Sequence, residues 1–185
     1  KLFVPEVLES GLGIVPTSST TIQLSIGDAL AIALMKKKKF GKMDFKKFHP
    51  SGNLGKKLKT AGDLMLTKSK IPLIKEDQNM KSAIKVINLK KLGFLVIVNK
   101  KGLTTGIFTD GDLKRLMQNK NKIKNKMIKF YMTKNPYKVE ENTLATDVLT
   151  QMNKKKITNV CVYKKDNNKK TVGVLHIHNL IKSLR

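Results

Sequence analysis

The second two thirds of the chain alternate between two hydrophobic periods. Phe94-Leu95-Val96-Ile97-Val98 and Asn159-Val160-Cys161-Val162-Tyr163 are nearly continuous apolar, β-branched runs, the pattern of strands in a sheet covered on both faces. Before each run, apolar residues recur at helical spacing: Met80, Ala83, Ile84 and Ile87 in the first case, Leu144, Val148, Leu149 and Met152 in the second. Each helix follows a Pro-containing strand, Ile71-Pro72-Leu73-Ile74 or Asn135-Pro136-Tyr137-Lys138-Val139. Each of these strands follows a short apolar segment ending in Met65 or Met132. Downstream, a turn at Lys101-Gly102 or Asp166-Asn167-Asn168 leads to Gly106-Ile107-Phe108 or Gly173-Val174-Leu175 and then to a closing helix. The order strand, helix, strand, strand, helix therefore occurs twice, an internal repeat. Two such units can bury their apolar faces against each other and leave a cleft on the pseudo-twofold axis.

The first 58 residues follow another pattern. Pro16-Thr17-Ser18-Ser19-Thr20 precedes an apolar-periodic stretch, Ile22, Leu24, Ile26, Ala29, Leu30, Ala33 and Leu34. It reads as a helix with hydroxyl caps at its start, Ser18 and Ser19 among them, and Lys36 to Lys39 against its negative end. A second short helix is expected near Asp44. The expected division is residues 1–58, a first repeat at 60–118, a Lys/Asn-rich linker at 119–127 and a second repeat at 128–185, an α/β protein throughout.

Charge and composition narrow the function classes. The 185 residues hold 38 Lys+Arg against 13 Asp+Glu, a net charge of +25. Nearly all of the positive charge is Lys, spread over helices, turns and linker, with Arg only at 115 and 185. Base reading favours Arg forks, and single-strand binding favours aromatics interleaved with charge. Neither pattern is present, so no specific nucleic-acid partner is expected. Ile26 to Met35 is too short and polar to span a bilayer, and no membrane partner is expected. The single Cys161 leaves no intrachain disulfide, which suits a cytoplasmic setting. His176 and His178 alternate as strand neighbours would, without further ligands nearby, so no metal site is assigned. Lys1-Leu2-Phe3-Val4-Pro5 reads as the end of a buried strand, and the chain is expected to begin inside a larger protein.

Gly106-Ile107-Phe108-Thr109-Asp110-Gly111-Asp112-Leu113 resembles the strand-to-helix signature of CBS modules, βαββα units that bind adenine nucleotides or related ligands as regulatory sites. The resemblance implies that Thr109 and Asp112 line a nucleotide. A hydroxyl and backbone N–H groups at a helix N-terminus suit a phosphate, and a carboxylate can accept from ribose hydroxyls. The same residues can equally be a helix cap, with Thr109 or Asp110 as the capping residue. Asp77 resembles a ligand-edge position and reads equally well as an N-cap. In the second repeat His176 and Asn179 replace the Thr and Asp, which puts a second symmetric nucleotide site in doubt.

Pro16 to Thr20, Gly27-Asp28-Ala29-Leu30-Ala31 and His49-Pro50-Ser51-Gly52-Asn53-Leu54-Gly55 resemble the C-terminal part of a sugar-isomerase (SIS) domain of the D-arabinose 5-phosphate isomerase family. That family places a CBS pair directly afterwards, with phrases like Gly106 to Leu113 and Gly173 to Leu180. The fold implied is the C-terminal fragment of a Rossmann-like SIS domain followed by a pair of βαββα CBS modules. The activity implied is aldose–ketose isomerisation of D-ribulose 5-phosphate and D-arabinose 5-phosphate, a sugar phosphate substrate, for lipopolysaccharide biosynthesis in a homotetramer. No cofactor is required, and the CBS pair would take a regulatory adenine nucleotide or nucleotide sugar. His49 matches the family's catalytic His. Glu9 is the nearest match to its functional Glu, with a one-residue gap, and Glu6 is the alternative. The Ser/Gly-rich phosphate loop and catalytic Lys of relatives have no counterpart in this sequence, so the 185 residues alone are expected to be inactive. A stand-alone CBS nucleotide sensor is the competing reading.

Overall fold

The computed structural model describes residues 8–10, 13–49, 58–118 and 126–184. Lys1 to Pro5, Glu6, the turn after His49 (residues 50–57) and most of the linker lie outside the described residues. The chain divides into two compact units, Lys1–Pro50 and Ser51–Arg185.

In the first unit, α1 (Ser18–Lys37) and α2 (Lys42–Phe48) account for the described helices. The helix expected from the apolar periodicity is present, but Leu24, Leu30, Ile32 and Leu34 stand exposed and none of its residues is buried. Its last turn ends in Lys36 and Lys37. Lys39 then takes a left-handed conformation while its N–H reaches the Lys36 carbonyl and that of Phe40 reaches Met35, the six-to-one closure usually built on glycine.

The second unit contains both repeats. The first comprises β2 (Leu73–Lys75), α4 (Met80–Lys90), β3 (Phe94–Val98), β4 (Thr104–Thr109) and α5 (Asp110–Gln118). The second comprises β6 (Lys138–Glu140), α6 (Ala145–Lys155), β7 (Asn159–Lys164), β8 (Asn167–His176) and α7 (Ile177–Leu184). Ahead of each repeat runs a short lead-in: α3 (Ala61–Leu64) and β1 (Leu66–Thr67) before the first, a 3-10 turn and β5 (Thr133–Lys134) before the second. The expected order is found. Pro72 immediately precedes β2 and Pro136 lies two residues before β6, both outside the strands, since proline cannot donate to the ladder. Asn167 and Asn168 belong to β8, so the turn is tighter than the sequence suggested.

The lead-ins are exchanged. The two sheets run β1-β8-β7-β6 and β2-β3-β4-β5. Thus β1 of the first lead-in pairs with β8 of the second repeat, and β5 pairs with β4 of the first. The exchange extends to α3, where the N–H groups of Ala61 and Gly62 donate to Thr143 and Glu141.

Strand alternation explains the continuous apolar runs. Leu95 and Ile97 of β3 pack with Met80, Ala83 and Ile87 of α4, and Val160 and Val162 of β7 pack with Val148 and Met152 of α6. The intervening residues face the opposite way: Phe94, Val96, Cys161 and Val174 form a third cluster joining the sheets. Each sheet is therefore covered by helices on one face and by the other sheet on the second.

Candidate functional site: a cleft shared by the two repeats

Backbone hydrogen bonds set the equivalence of the repeats around one cleft. Asp110 N–H donates to the Gly93 carbonyl at 3.0 Å, and Ile177 N–H donates to the Thr158 carbonyl at 2.9 Å. Gly93 and Thr158 are thus counterparts, as are Thr109 and His176 at the two strand ends. Lys91 and Lys156 end the two equivalent helices in left-handed conformations. Leu92, Gly93 and Thr109 from one repeat and Ile157, Thr158 and His176 from the other line a cavity of about 590 Å³. The β5 lead-in contributes Thr133, followed by Asn135, Pro136 and Tyr137. Asn135 holds φ at +52°, a conformation asparagine tolerates better than most side chains.

Thr109 and Asp112 both line this cleft and bind each other. Thr109 N–H and Oγ1 donate to Asp112 Oδ2 at 2.9 and 2.8 Å, while Asp112 N–H donates to Thr109 Oγ1 at 3.2 Å. This reciprocal arrangement is a capping box at the start of α5. The two sequence readings of these residues are compatible, because the cap presents its polar atoms at the cleft. Asp112 Oδ1 is further held by the Arg115 guanidinium. Asp110, Gly111 and Arg115 complete this wall.

In the second repeat His176 occupies the capping position: its Nδ1 accepts from His178 N–H at 3.2 Å. His178 lies in α7 rather than on a strand, which corrects the expected strand alternation of the two histidines. Burial, with the neighbouring His178 ring adding to it, lowers the His176 imidazole below its ordinary value. A neutral ring is also what an accepting Nδ1 requires.

Asp77 stands on an exposed turn and does not line the cleft. Its alternative reading as an N-cap is corrected too, for Asn79 caps α4 by accepting from Ser82 N–H at 2.9 Å. Among the described residues, Asn159 Oδ1 is a buried side-chain polar atom without a hydrogen-bond partner, and Asn159 lines the cleft. Sequence reasoning treated Asn159 only as a strand residue; its polarity within an otherwise apolar run was the available signal. Arg115 and Lys156 were also missed, because their place at the cleft follows only from the equivalence of the repeats.

The first unit places its candidates differently. Glu9 is the N-terminal cap of α1: its Oε2 accepts from Ser18 N–H at 2.8 Å and from Thr17 N–H, and its Oε1 accepts from Ser19 N–H at 2.9 Å. Hydrogen bonding, led by the Ser19 side chain and the Thr17 backbone, holds this carboxyl down to about 2. Ser18 and Ser19, expected as caps, are first-turn residues whose own N–H groups Glu9 caps. With these N–H groups bonded to the Glu9 carboxylate, the serine hydroxyls are not needed to cap them, and Ser18 Oγ donates instead to the Leu8 carbonyl at 3.0 Å. His49 ends α2, stacked on Phe45 at 4.1 Å between centroids, with Nδ1 3.3 Å from the Phe45 carbonyl, and is exposed.

A pair of βαββα units with exchanged lead-ins and a cleft lined by both defines a tandem βαββα-module architecture. The chain belongs to the CBS domain family, whose domain matches residues 61–119 and 128–185. It is 40% identical over 172 residues to arabinose 5-phosphate isomerase KdsD of Francisella tularensis, covering 92% of this chain and 52% of the isomerase. The chain thus spans about half the length of the curated relatives it matches. Among solved structures it resembles CBSX2 in complex with AMP, with TM-score 0.58 and 22% identity, covering 68% of this chain and 95% of that one. It likewise resembles the CBS domain pair of protein MJ0100 in complex with 5′-methylthioadenosine and S-adenosyl-L-methionine, with TM-score 0.59 and 22% identity, covering 68% and 94%. These likenesses establish the fold. Among the described residues no helix is long and apolar enough to cross a membrane.

Proposed function

We propose that this chain is the regulatory, C-terminal portion of an arabinose 5-phosphate isomerase, and that the cleft between its repeats binds an adenine nucleotide or a nucleotide sugar. The isomerase reading is carried by the 40% identity that runs through 92% of the chain, beyond the CBS repeats themselves. The nucleotide reading is supported by a cleft of suitable size that presents the Thr109–Asp112 pair and the unpartnered Asn159 Oδ1. An N–H donor on a nucleobase would satisfy that oxygen, which otherwise bears the cost of burial without a bond. The AMP held by CBSX2 and the adenosine derivatives held by the MJ0100 pair belong to the same chemical class.

In this reading residues 1–58 complete an SIS domain, and the enzyme is a cytoplasmic homotetramer acting on a sugar phosphate in lipopolysaccharide synthesis. Interconverting D-ribulose 5-phosphate and D-arabinose 5-phosphate moves a proton between carbons next to a carbonyl, and an imidazole with a pKa near neutrality suits that transfer. His49 takes the role. Glu9 sets the start of α1, since a carboxyl held near 2 is a weak base at neutral pH.

The test is an isomerase assay on the full-length protein carrying this sequence, with and without AMP. The expected results are activity in the parent, loss in His49→Ala and in the 185-residue chain, and a rate that changes with AMP. A folded parent with no activity overturns the isomerase reading. An active parent whose chain binds no nucleotide overturns the regulatory one.

A further inference from the structure

The charges at the cleft are few: Asp110, Asp112, Arg115 and Lys156, with His176 at the facing strand end. Two carboxylates on one wall oppose an anionic ligand unless a cation on that wall is free to meet it. Lys156 belongs to the other repeat. Arg115 is the cation on the carboxylate wall, one of only two arginines in a chain whose positive charge is otherwise lysine. Its guanidinium is committed to Asp112 Oδ1, yet its side chain is 69% exposed while that of Asp112 is 14% exposed. The arginine can therefore swing, and the carboxylate, fixed by Thr109, cannot.

A ribose hydroxyl donating to Asp112 Oδ1 would replace the Arg115 donor, so the mostly buried carboxylate stays bonded in both arrangements. The displaced guanidinium is then close to whatever the ribose carries. A fork of N–H donors matches a phosphate in geometry as well as charge. At the equivalent place in the second repeat the capping residue is His176 and the carboxylate is absent, so this exchange has one location in the pair.

Building on the nucleotide reading, we propose that Arg115 is a specificity-determining residue: it leaves Asp112 when a ribose binds and takes the ligand's phosphate, so the cleft selects nucleoside monophosphates over nucleosides. The shift exchanges one charge-assisted bond for another and leaves neither the carboxylate nor the guanidinium unpaired.

The experiment is calorimetric titration of the full 185-residue chain with AMP and with adenosine at physiological salt, which suppresses nonspecific attraction to the lysine-rich surface. The expected result is AMP binding at least about tenfold tighter than adenosine, the scale of one charge-assisted contact. Arg115→Met should abolish that preference by weakening AMP alone, and Arg115→Lys should keep part of it. Asp112→Asn should weaken both ligands by a similar factor. Thermal melting without ligand checks that each variant is folded. Equal affinity of the wild type for AMP and adenosine, or an Arg115→Met variant that keeps the preference or loses both ligands equally, overturns the role of Arg115 and leaves the nucleotide reading standing. Failure of the wild type to bind either ligand overturns both.

Discussion

Met65 covers Gly173 in the opposite repeat: a Cβ at Gly173 would come within 2.9 Å of Met65 Cβ. Met132 covers Gly106 in the same way, and a Cβ there would stand 2.8 Å from the Thr133 carbonyl oxygen. Each methionine immediately precedes the short strand of a lead-in, and each glycine lies in the strand that this short strand joins. The two glycines are therefore the points where the exchanged strands come close enough to pair. Gly106→Ala and Gly173→Ala should each destabilise the second unit by about 1–3 kcal/mol, the cost of overpacking a tight contact. Chemical denaturation measures this, and a change below a few tenths of a kcal/mol would show that the lead-ins shift freely.

Cys161 lies between the sheets, and burial pushes its thiol up to about 11. In the native protein it should resist thiol reagents at neutral pH and react only on unfolding, since the thiolate is the nucleophile. The unfolded chain releases this proton at lower pH than the folded one. Its contribution to stability is thus present below the ordinary thiol range and is lost as pH rises through that range toward the folded value. Denaturation midpoints of wild type and Cys161→Ala across pH 8 to 11 should converge on the alkaline side if the assignment holds (about 8.5 for a free thiol).

His176 has the opposite dependence. Its folded value lies below 6.5, so the unfolded state takes the proton first. Stability from the neutral cap is present above that value and is lost as pH falls below it toward the folded value. His176→Asn, which keeps a capping acceptor without titrating, should flatten this part of the stability profile; an unchanged slope would exclude His176 as its source.

Asn159 Oδ1 is buried without a partner at the start of β7. Asn159→Val should raise the stability of the unit by about 1 kcal/mol, by removing an unsatisfied acceptor and adding a β-branched residue to a strand. The same substitution should weaken AMP binding. Stabilisation without loss of binding would place the ligand away from Asn159.

Glu9 holds the start of α1 as an ionised carboxylate, with its pKa lowered to about 2 from 4.5. Its contribution is present above the unfolded value and is lost as pH falls through the folded one. Glu9→Gln should lower helicity at neutral pH, as read by circular dichroism, and reduce the further loss on acidification. Unchanged helicity would mean that the α1 start does not depend on Glu9.

Much of this was legible in the sequence. Apolar runs covered on both faces identified β3 and β7, and helical spacing identified α4 and α6, because hydrophobic period is a local property of the chain. The Thr109–Asp112 pair was readable at three-residue spacing, the geometry of a first helical turn. The capping residue of α4 was misplaced by two positions, at Asp77 rather than Asn79, since neighbouring polar residues compete for a cap and only the backbone path selects one. The cap of α1 comes from Glu9, ten residues ahead of the last N–H it binds, which no local pattern announces.

Local pattern determined which segments become strands and helices and that they form two similar units. Only the tertiary structure decided that the lead-ins change partners, and that Asn159, Lys156, Arg115 and His176 meet at one cleft. The physical reason is that strand pairing satisfies generic backbone donors and acceptors. A two-residue strand such as β1 or β5 carries little pairing preference of its own, and its partner is fixed by the close packing of Met132 over Gly106 and of Met65 over Gly173, pairs far apart along the chain.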